Sequence, residues 1–178
     1  EFRRVLFRSL SKIYPYSNYI KWLATIDKEH SLNYWKDYLS EYHTLNAIPQ
    51  LSIKKQKHQH KEFSFILDFT IKQSIKTLCT ELGITENTFI QTVWGILISK
   101  YNNTEDVVFG AVVSGRPAEV EGIEEMMGLF INTIPVRIRT RNTTTIKELL
   151  KEVQDSFITG NSHHYIQLAD IQSKTEIG

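Results

Sequence analysis

The sequence predicts a layered α/β fold, and three observations carry that reading. Segments with apolar residues three and four apart alternate along the chain with shorter segments that alternate apolar and polar, or run apolar without a break. Paired cap residues, Thr70 with Gln73 and Thr145 with Glu148, mark two helix starts. Turn formers, Gly83 and the Asn102–Asn103–Thr104 run, stand where periodic segments end. Helices alternating with strands bury both kinds of element in layers.

The elements follow in order. The opening EFRRVLFRS matches an in-frame translation of a common short-read sequencing adapter, so residues 1–9 are set aside and the polypeptide is expected to begin upstream of Leu10. Residues 16–42 are helical in pattern: Tyr16, Tyr19, Ile20, Leu23 and Ile26 form one stripe, and Trp35, Tyr38, Leu39 and Tyr42 another. A break at Asp27–Ser31 predicts two helices. Residues 44–61 form a basic connector containing Lys54, Lys55, Lys57, His58, His60 and Lys61. It reads as solvated linker, because it has no acids, cysteines or aromatics to make a metal or nucleic-acid site.

FSFILDF, 63–69, alternates like a strand with one face buried. A helix then opens on the Thr70–Gln73 box, carries Ile71, Ile75, Leu78 and Leu82 on one stripe, and ends at Gly83. Cys79 beside that stripe reads as a half-buried structural thiol. ENTFIQTVWGILISK, 86–100, is apolar nearly all round and predicts a helix buried on several sides. Gly95 in its middle signals close packing, since it costs about 1 kcal/mol against Ala there. Val107–Val113 read as a central strand covered on both faces. GLFINTIPVRIR, 128–139, reads as a strand whose Pro135 puts it at an edge or a strand switch. The Thr145–Glu148 box opens a last helix with Ile146, Leu149, Leu150, Val153 and Phe157 inward. Trp22, Trp35 and Trp94 read as core anchors, and Met126 and Met127 as adaptable packing.

Composition narrows the classes. Hydrophobic content of 41% with 11% aromatics fits a packed core. Without residues 1–9 the formal charge moves from +1 to −1, which gives no case for nucleic acid. No apolar run is long enough to span a bilayer. The single cysteine excludes an internal disulfide and suits the cytoplasm.

Four blocks carry a resemblance. YSNYIKW (16–22) is similar to a YxDYxxW block, with Asn18 where the acid is usual. YNNTEDVVFGAVVSGRP (101–117) resembles a strand and its SGRP exit. GLFINTIPVR (128–137) resembles GxFVNTxxxR, and SHHYIQLADIQ (162–172) resembles a late HxxYxxLxxIQ-type block. In this order they resemble the condensation domain of nonribosomal peptide synthetases. The resemblance implies a chloramphenicol acetyltransferase-like fold of two lobes around a tunnel. Residues 10–45 would end the first lobe, 46–62 connect, and 63–178 form an incomplete second lobe. It also implies amide formation between a donor acyl or peptidyl thioester and an acceptor aminoacyl thioester. The domain itself would bind no cofactor; phosphopantetheine would ride on carrier-domain partners, with an adenylation domain as neighbour and neither nucleic acid nor membrane involved. A non-catalytic module that only docks carrier domains is the alternative.

The family's general base lies in an HHxxxDG motif before the YxDYxxW block. His163 and His164 do not fit it: five residues after His163 stands Leu168, the acid is Asp170, and the block follows GLFINT. No catalytic residue is therefore expected here. The base is expected upstream, this stretch is expected to be inactive alone, and the two histidines are expected in a structural or surface role at a helix end, where they can favour its dipole. Tunnel-lining or pantetheine-binding candidates are Asn132, Gly128, Ser114, Gly115 and Arg116. Asn132 either reaches pantetheine amides or bonds a neighbouring loop. Gly128 either lets the arm approach or merely starts the strand. Arg116 either pairs with a carboxylate of EVEGIEE or meets a phosphate.

Overall fold

The computed structural model describes residues 13–44, 46–48, 62–141, 143–175 and 177. Residues 1–9 and all but the ends of the connector lie outside them. The chain forms two compact units: residues up to 41, 110–134 and 161–178 make the first, and 42–109 with 135–160 the second.

In the first unit, α1 (Ser17–Leu23) and α2 (Lys28–Tyr38) are separated where the sequence breaks. Asp27 caps α2 by accepting from His30 N at 3.0 Å. Tyr19, Val120, Ile123, Met126 and Phe130 make the core, with Tyr14, Tyr16, Trp22 and Leu23 packed on it. Met126 is buried, whereas Met127 is 83% exposed. A last short helix, whose residues run Leu168–Lys174, lies against α2, and Trp35 and Ile171 are buried.

In the second unit, α3 (Phe69–Leu82) is capped by Asp68, which accepts from Thr70 N at 2.8 Å. The expected Thr70–Gln73 box is thus replaced by a stronger cap lying earlier in the chain. Gly83, at φ +66°, closes the helix in the left-handed region. Ile75, Leu78 and Leu82 surround Cys79, Ile84 and Leu150, while Ile71 faces outward. Burial, then Glu86, pushes the Cys79 thiol up, so it stays protonated and inert.

α4 (Glu86–Asn102) corrects the expectation of a helix buried through its apolar residues. Its inward face is Thr88, Gln91, Thr92, Gly95, Ile98 and Ser99, and Ile90, Val93, Trp94, Leu97 and Tyr101 are exposed. Trp94 is therefore not a core anchor. The inward polar groups are satisfied: Thr88 Oγ1 donates to Gln154 Oε1 at 2.7 Å and Thr92 Oγ1 to Thr88 O at 2.8 Å. Close approach to the sheet selects small residues, as Gly95 signalled. A Cβ there would lie 2.7 Å from Ile138 Cβ and closer still to Ile138 Cγ1. Gly95→Ala gains about 1 kcal/mol of helix propensity but forces a stiff β-branched neighbour aside, at about 3 kcal/mol. The expected result is a net loss near 2 kcal/mol, read from the urea midpoint at unchanged m.

β1 (Asp106–Ser114) and β2 (Ile131–Arg139) form a two-stranded sheet. Gly115 N donates to Phe130 O and Thr140 N to Glu105 O, which fixes an antiparallel register. β1 is covered on one face only. Val107, Ala111 and Val113 are buried, but Val112 is 69% exposed, so it is not a central strand among the described residues. Pro135 sits where β2 passes from one unit to the other. The expected strand at 63–69 is absent. Residues 62–68 form no ladder, and Phe63, Phe65 and Leu67 are exposed, because alternation predicts a buried face only where a partner strand exists. α5 (Ile146–Gly160) opens on the expected box: Thr145 N donates to Glu148 Oε2 at 2.8 Å and Glu148 N to Thr145 Oγ1 at 3.3 Å. Leu149, Leu150 and Val153 point inward as read, while Ile146 is exposed. The Leu168–Lys174 helix is α6.

Candidate functional site

Pieces of all four blocks meet in the first unit. Tyr16 Oη donates to Leu129 O at 2.8 Å, and the Tyr16 and Tyr19 rings stand edge-on to Phe130 at 5.3 and 4.9 Å. Tyr16 explains Gly128: a Cβ at 128 would collide with the Tyr16 ring, its Cγ only 2.8 Å away. Gly128 neither starts the strand, which begins at Ile131, nor faces open space; it makes room for an aromatic ring.

Gly115 is buried, and its N–H donates to Phe130 O at 2.6 Å. A Cβ there would press on that same oxygen at 2.8 Å. Arg116 Nη1 donates to the carbonyls of Ile123 and Met126, and the guanidinium lies 4.1 Å over the Phe130 ring. No carboxylate pairs with it among the described residues, contrary to the expected ion pair. Carbonyls at the end of the Ile123–Glu125 turn are nearer donors' targets than exposed, hydrated glutamates.

Asn132 is a brace. Its Nδ2 donates to His164 O at 2.7 Å and to Ile166 O at 2.6 Å, and its Oδ1 accepts from Thr133 N at 2.9 Å. Both amide hydrogens go to one loop, which is the structural side of the two readings. Next to this loop opens a cleft of about 380 Å³, lined among others by Trp22, Ser114, Gly115, Arg116, His164 and Tyr165.

The two histidines follow the end of α5, at and just after the Asn161–His163 turn, and they are buried there, 7% and 5% exposed, rather than displayed on the surface. His163 Nδ1 is 2.9 Å from Ser31 Oγ, and its ring stacks on Tyr34 at 4.2 Å. Burial, then His30, pushes His163 below the ordinary histidine range. Burial, then His163, pushes His164 down to about 4. Both are neutral at pH 7, so neither offers a charge to a helix dipole, and His164 is too weak a base for proton abstraction there. The same shift sets a stability window. An unfolded histidine titrates near 6.5 and folded His164 near 4. Between these values the unfolded state binds the extra proton. Stability is full above pH 6.5 and falls as pH drops towards 4, by up to about 3 kcal/mol. In urea titrations at pH 7.5 and 4.5, His164→Gln is expected to shrink that loss relative to the parent.

Sequence reasoning missed Ser31 and Tyr165, which join His163 in one hydrogen-bonded chain, and the Arg137–Asp106 pair of the second unit. Ser31 lies more than a hundred residues from both its partners and Arg137 lies 31 from Asp106, separations that leave no local signal. The Arg at the end of the GxFVNTxxxR block was the one available hint for Arg137. No helix among the described residues is long and apolar enough to cross a membrane.

Comparison with known proteins agrees with this arrangement. The family model described as "Condensation domain" matches residues 7–178. Gramicidin S synthase 2 of Brevibacillus brevis is 40% identical over 170 residues, covering 94% of this chain and 4% of that protein. Bacitracin synthase 3 of Bacillus licheniformis is 42% identical over 164 residues, covering 92% and 3%. The chain thus spans a small fraction of the curated relatives it matches. Among solved structures, a four-domain nonribosomal peptide synthetase in its holo form, bound to AMP and glycine, superposes with a TM-score of 0.72 at 21% identity, over 84% of this chain and 11% of that one. The X-domain from teicoplanin biosynthesis superposes at 0.70 with 16% identity, over 90% and 36%. The fold is that of the chloramphenicol acetyltransferase-like condensation domains, and with nearly its whole length matched the chain belongs to the condensation domain family of nonribosomal peptide synthetases.

Proposed function

We propose that the chain is part of a condensation domain within a larger synthetase, where an amide forms between a donor acyl or peptidyl thioester and the amine of an acceptor aminoacyl thioester. Carrier domains bring both on phosphopantetheine arms, beside an adenylation domain. Residues 10–45 close the first lobe, 46–62 cross over, and 63–178 belong to the second. The observation that supports this best is that three family blocks line one cleft and the fourth, through Asn132, holds the loop beside it.

Such a reaction needs the amine held close to the thioester carbonyl, with its proton accepted. The cleft offers the first requirement. Ser114 supplies a hydroxyl to the amides of the arm, and Gly115 lets the strand end close on Phe130 O beside it. Arg116 lines the cleft with its guanidinium tied to the Ile123 and Met126 carbonyls, while Asn132 and Gly128 act from behind the lining, through the loop and ring contacts above. The second requirement is not met by His163, whose ring is held against Ser31 and Tyr34 away from the cleft lining, nor by His164, whose basicity burial and His163 push down to about 4. By its family likeness, the parent synthetase would draw the base from an HHxxxDG motif ahead of the YSNYIKW block.

The test is dipeptidyl-thioester formation on carrier domains, followed by mass spectrometry, with the intact synthetase and with residues 10–178 alone. Product from the intact protein only, lost on replacing the second His of an upstream HHxxxDG, supports the reading. Product from residues 10–178 that disappears with His164→Ala overturns it. Carrier binding without any product installs the docking module in its place.

A further inference from the structure

Ser31, on α2, is fully buried and touches two residues of the late block. Its Oγ lies 2.9 Å from Tyr165 Oη and 2.9 Å from His163 Nδ1. The far end of this chain is clamped: Tyr34 stacks on the His163 ring, and Trp35 Nε1 donates to His163 O at 3.2 Å. The near end is the Tyr165 ring, which stands at 87° to Trp22 with centroids 5.2 Å apart. Trp22 and Tyr165 both line the cleft.

We propose that Ser31 and His163 are positioning residues, which fix Tyr165 as one side of the aromatic corner of the cleft through a buried hydrogen-bond relay. The proposal rests on the reading of that cleft as the thioester site. Ser31 has one hydroxyl hydrogen and two neighbours. It donates to one and accepts from the other, so both bonds form together and each orients the next. A Ser–His pair at 2.9 Å also has the look of a nucleophile and its base. Burial excludes that role, because no substrate atom reaches Oγ. What the relay delivers is a phenol oxygen held at one point, which keeps the ring in place beside Trp22 where a ligand would lie and lowers the ordering cost of binding.

The experiment uses the intact synthetase with an aminoacyl-S-pantetheine thioester as probe, in Ser31→Ala, Tyr165→Phe, the double variant and Ser31→Thr. Loss of one oriented contact is expected to raise KM about tenfold in each single variant. Turnover should change little, the double variant should be no worse than the singles, and threonine should restore binding. A KM that stays at the parental value while only the melting temperature falls overturns the proposal. So does a collapse of kcat at unchanged KM, or additive effects in the double variant. If Ser31→Ala fails to fold, Tyr165→Phe, which keeps the ring, decides. If the parent forms no amide, the condensation reading falls separately, and the thioester Kd from Trp22 fluorescence replaces KM: equal Kd in all variants overturns the relay.

Discussion

Asn132→Ala is expected to cost about 3 to 4 kcal/mol and to free the loop that carries His164 and Tyr165. The side chain spends both amide hydrogens on His164 O and Ile166 O, at 2.7 and 2.6 Å. Truncation leaves two carbonyls in a part-buried setting without these donors, and each orphaned acceptor costs about 1–3 kcal/mol. The informative companion is Asn132→Asp. It keeps the shape, but a carboxylate has no hydrogen to give and sets its charge against two carbonyl oxygens. The aspartate is expected to be at least as destabilising as the alanine, which separates a donor role from space filling. Urea unfolding reads the cost, and amide exchange at residues 163–166, faster in both variants than elsewhere in the first unit, reads the release. An Asp variant as stable as the parent would contradict the brace.

Such braces mark the limit of what the sequence disclosed. The Thr145–Glu148 box, the Gly83 stop and the break before α2 were legible because each is decided within a few residues. The 63–69 strand was misread because alternation describes a face, while a strand also needs a ladder partner. α4 was misread because an apolar helix with one glycine holds two opposing signals. Hydrophobicity favoured burying Trp94 and Leu97, but packing distance favoured the small face around Gly95, and packing distance prevailed. At the cleft, the resemblance located the blocks but not their roles. Asn132 finds its partners 32 and 34 residues away, and Ser31 finds His163 at a separation of 132. Gly128 looked like an approach for a ligand until Tyr16, from the other end of the chain, proved to occupy the space.

Asp106→Asn is expected to be strongly destabilising, at about 3 kcal/mol, because it removes the carboxylate that takes a two-pronged pairing from a buried guanidinium. Arg137 is 8% exposed. Its Nε donates to Asp106 Oδ1 at 2.9 Å and its Nη2 to Oδ2 at 2.6 Å, a two-pronged pairing across β1 and β2. The guanidinium also lies 5.5 Å from the Tyr42 ring centroid, so lysine at 137 would lose both the fork and the flat contact. Replacing the pair together, Asp106→Leu with Arg137→Met, removes both charges and is expected to cost less than Asp106→Asn alone. Arg139 supplies the control. It reaches the same carboxylate, but at 3.9 Å and with 40% of its side chain exposed. Arg139→Gln should therefore change stability by less than about 1 kcal/mol. Urea midpoints for the four proteins test the order; an Asp106→Asn loss no larger than that of Arg139→Gln would show that burial gives this pair no special weight.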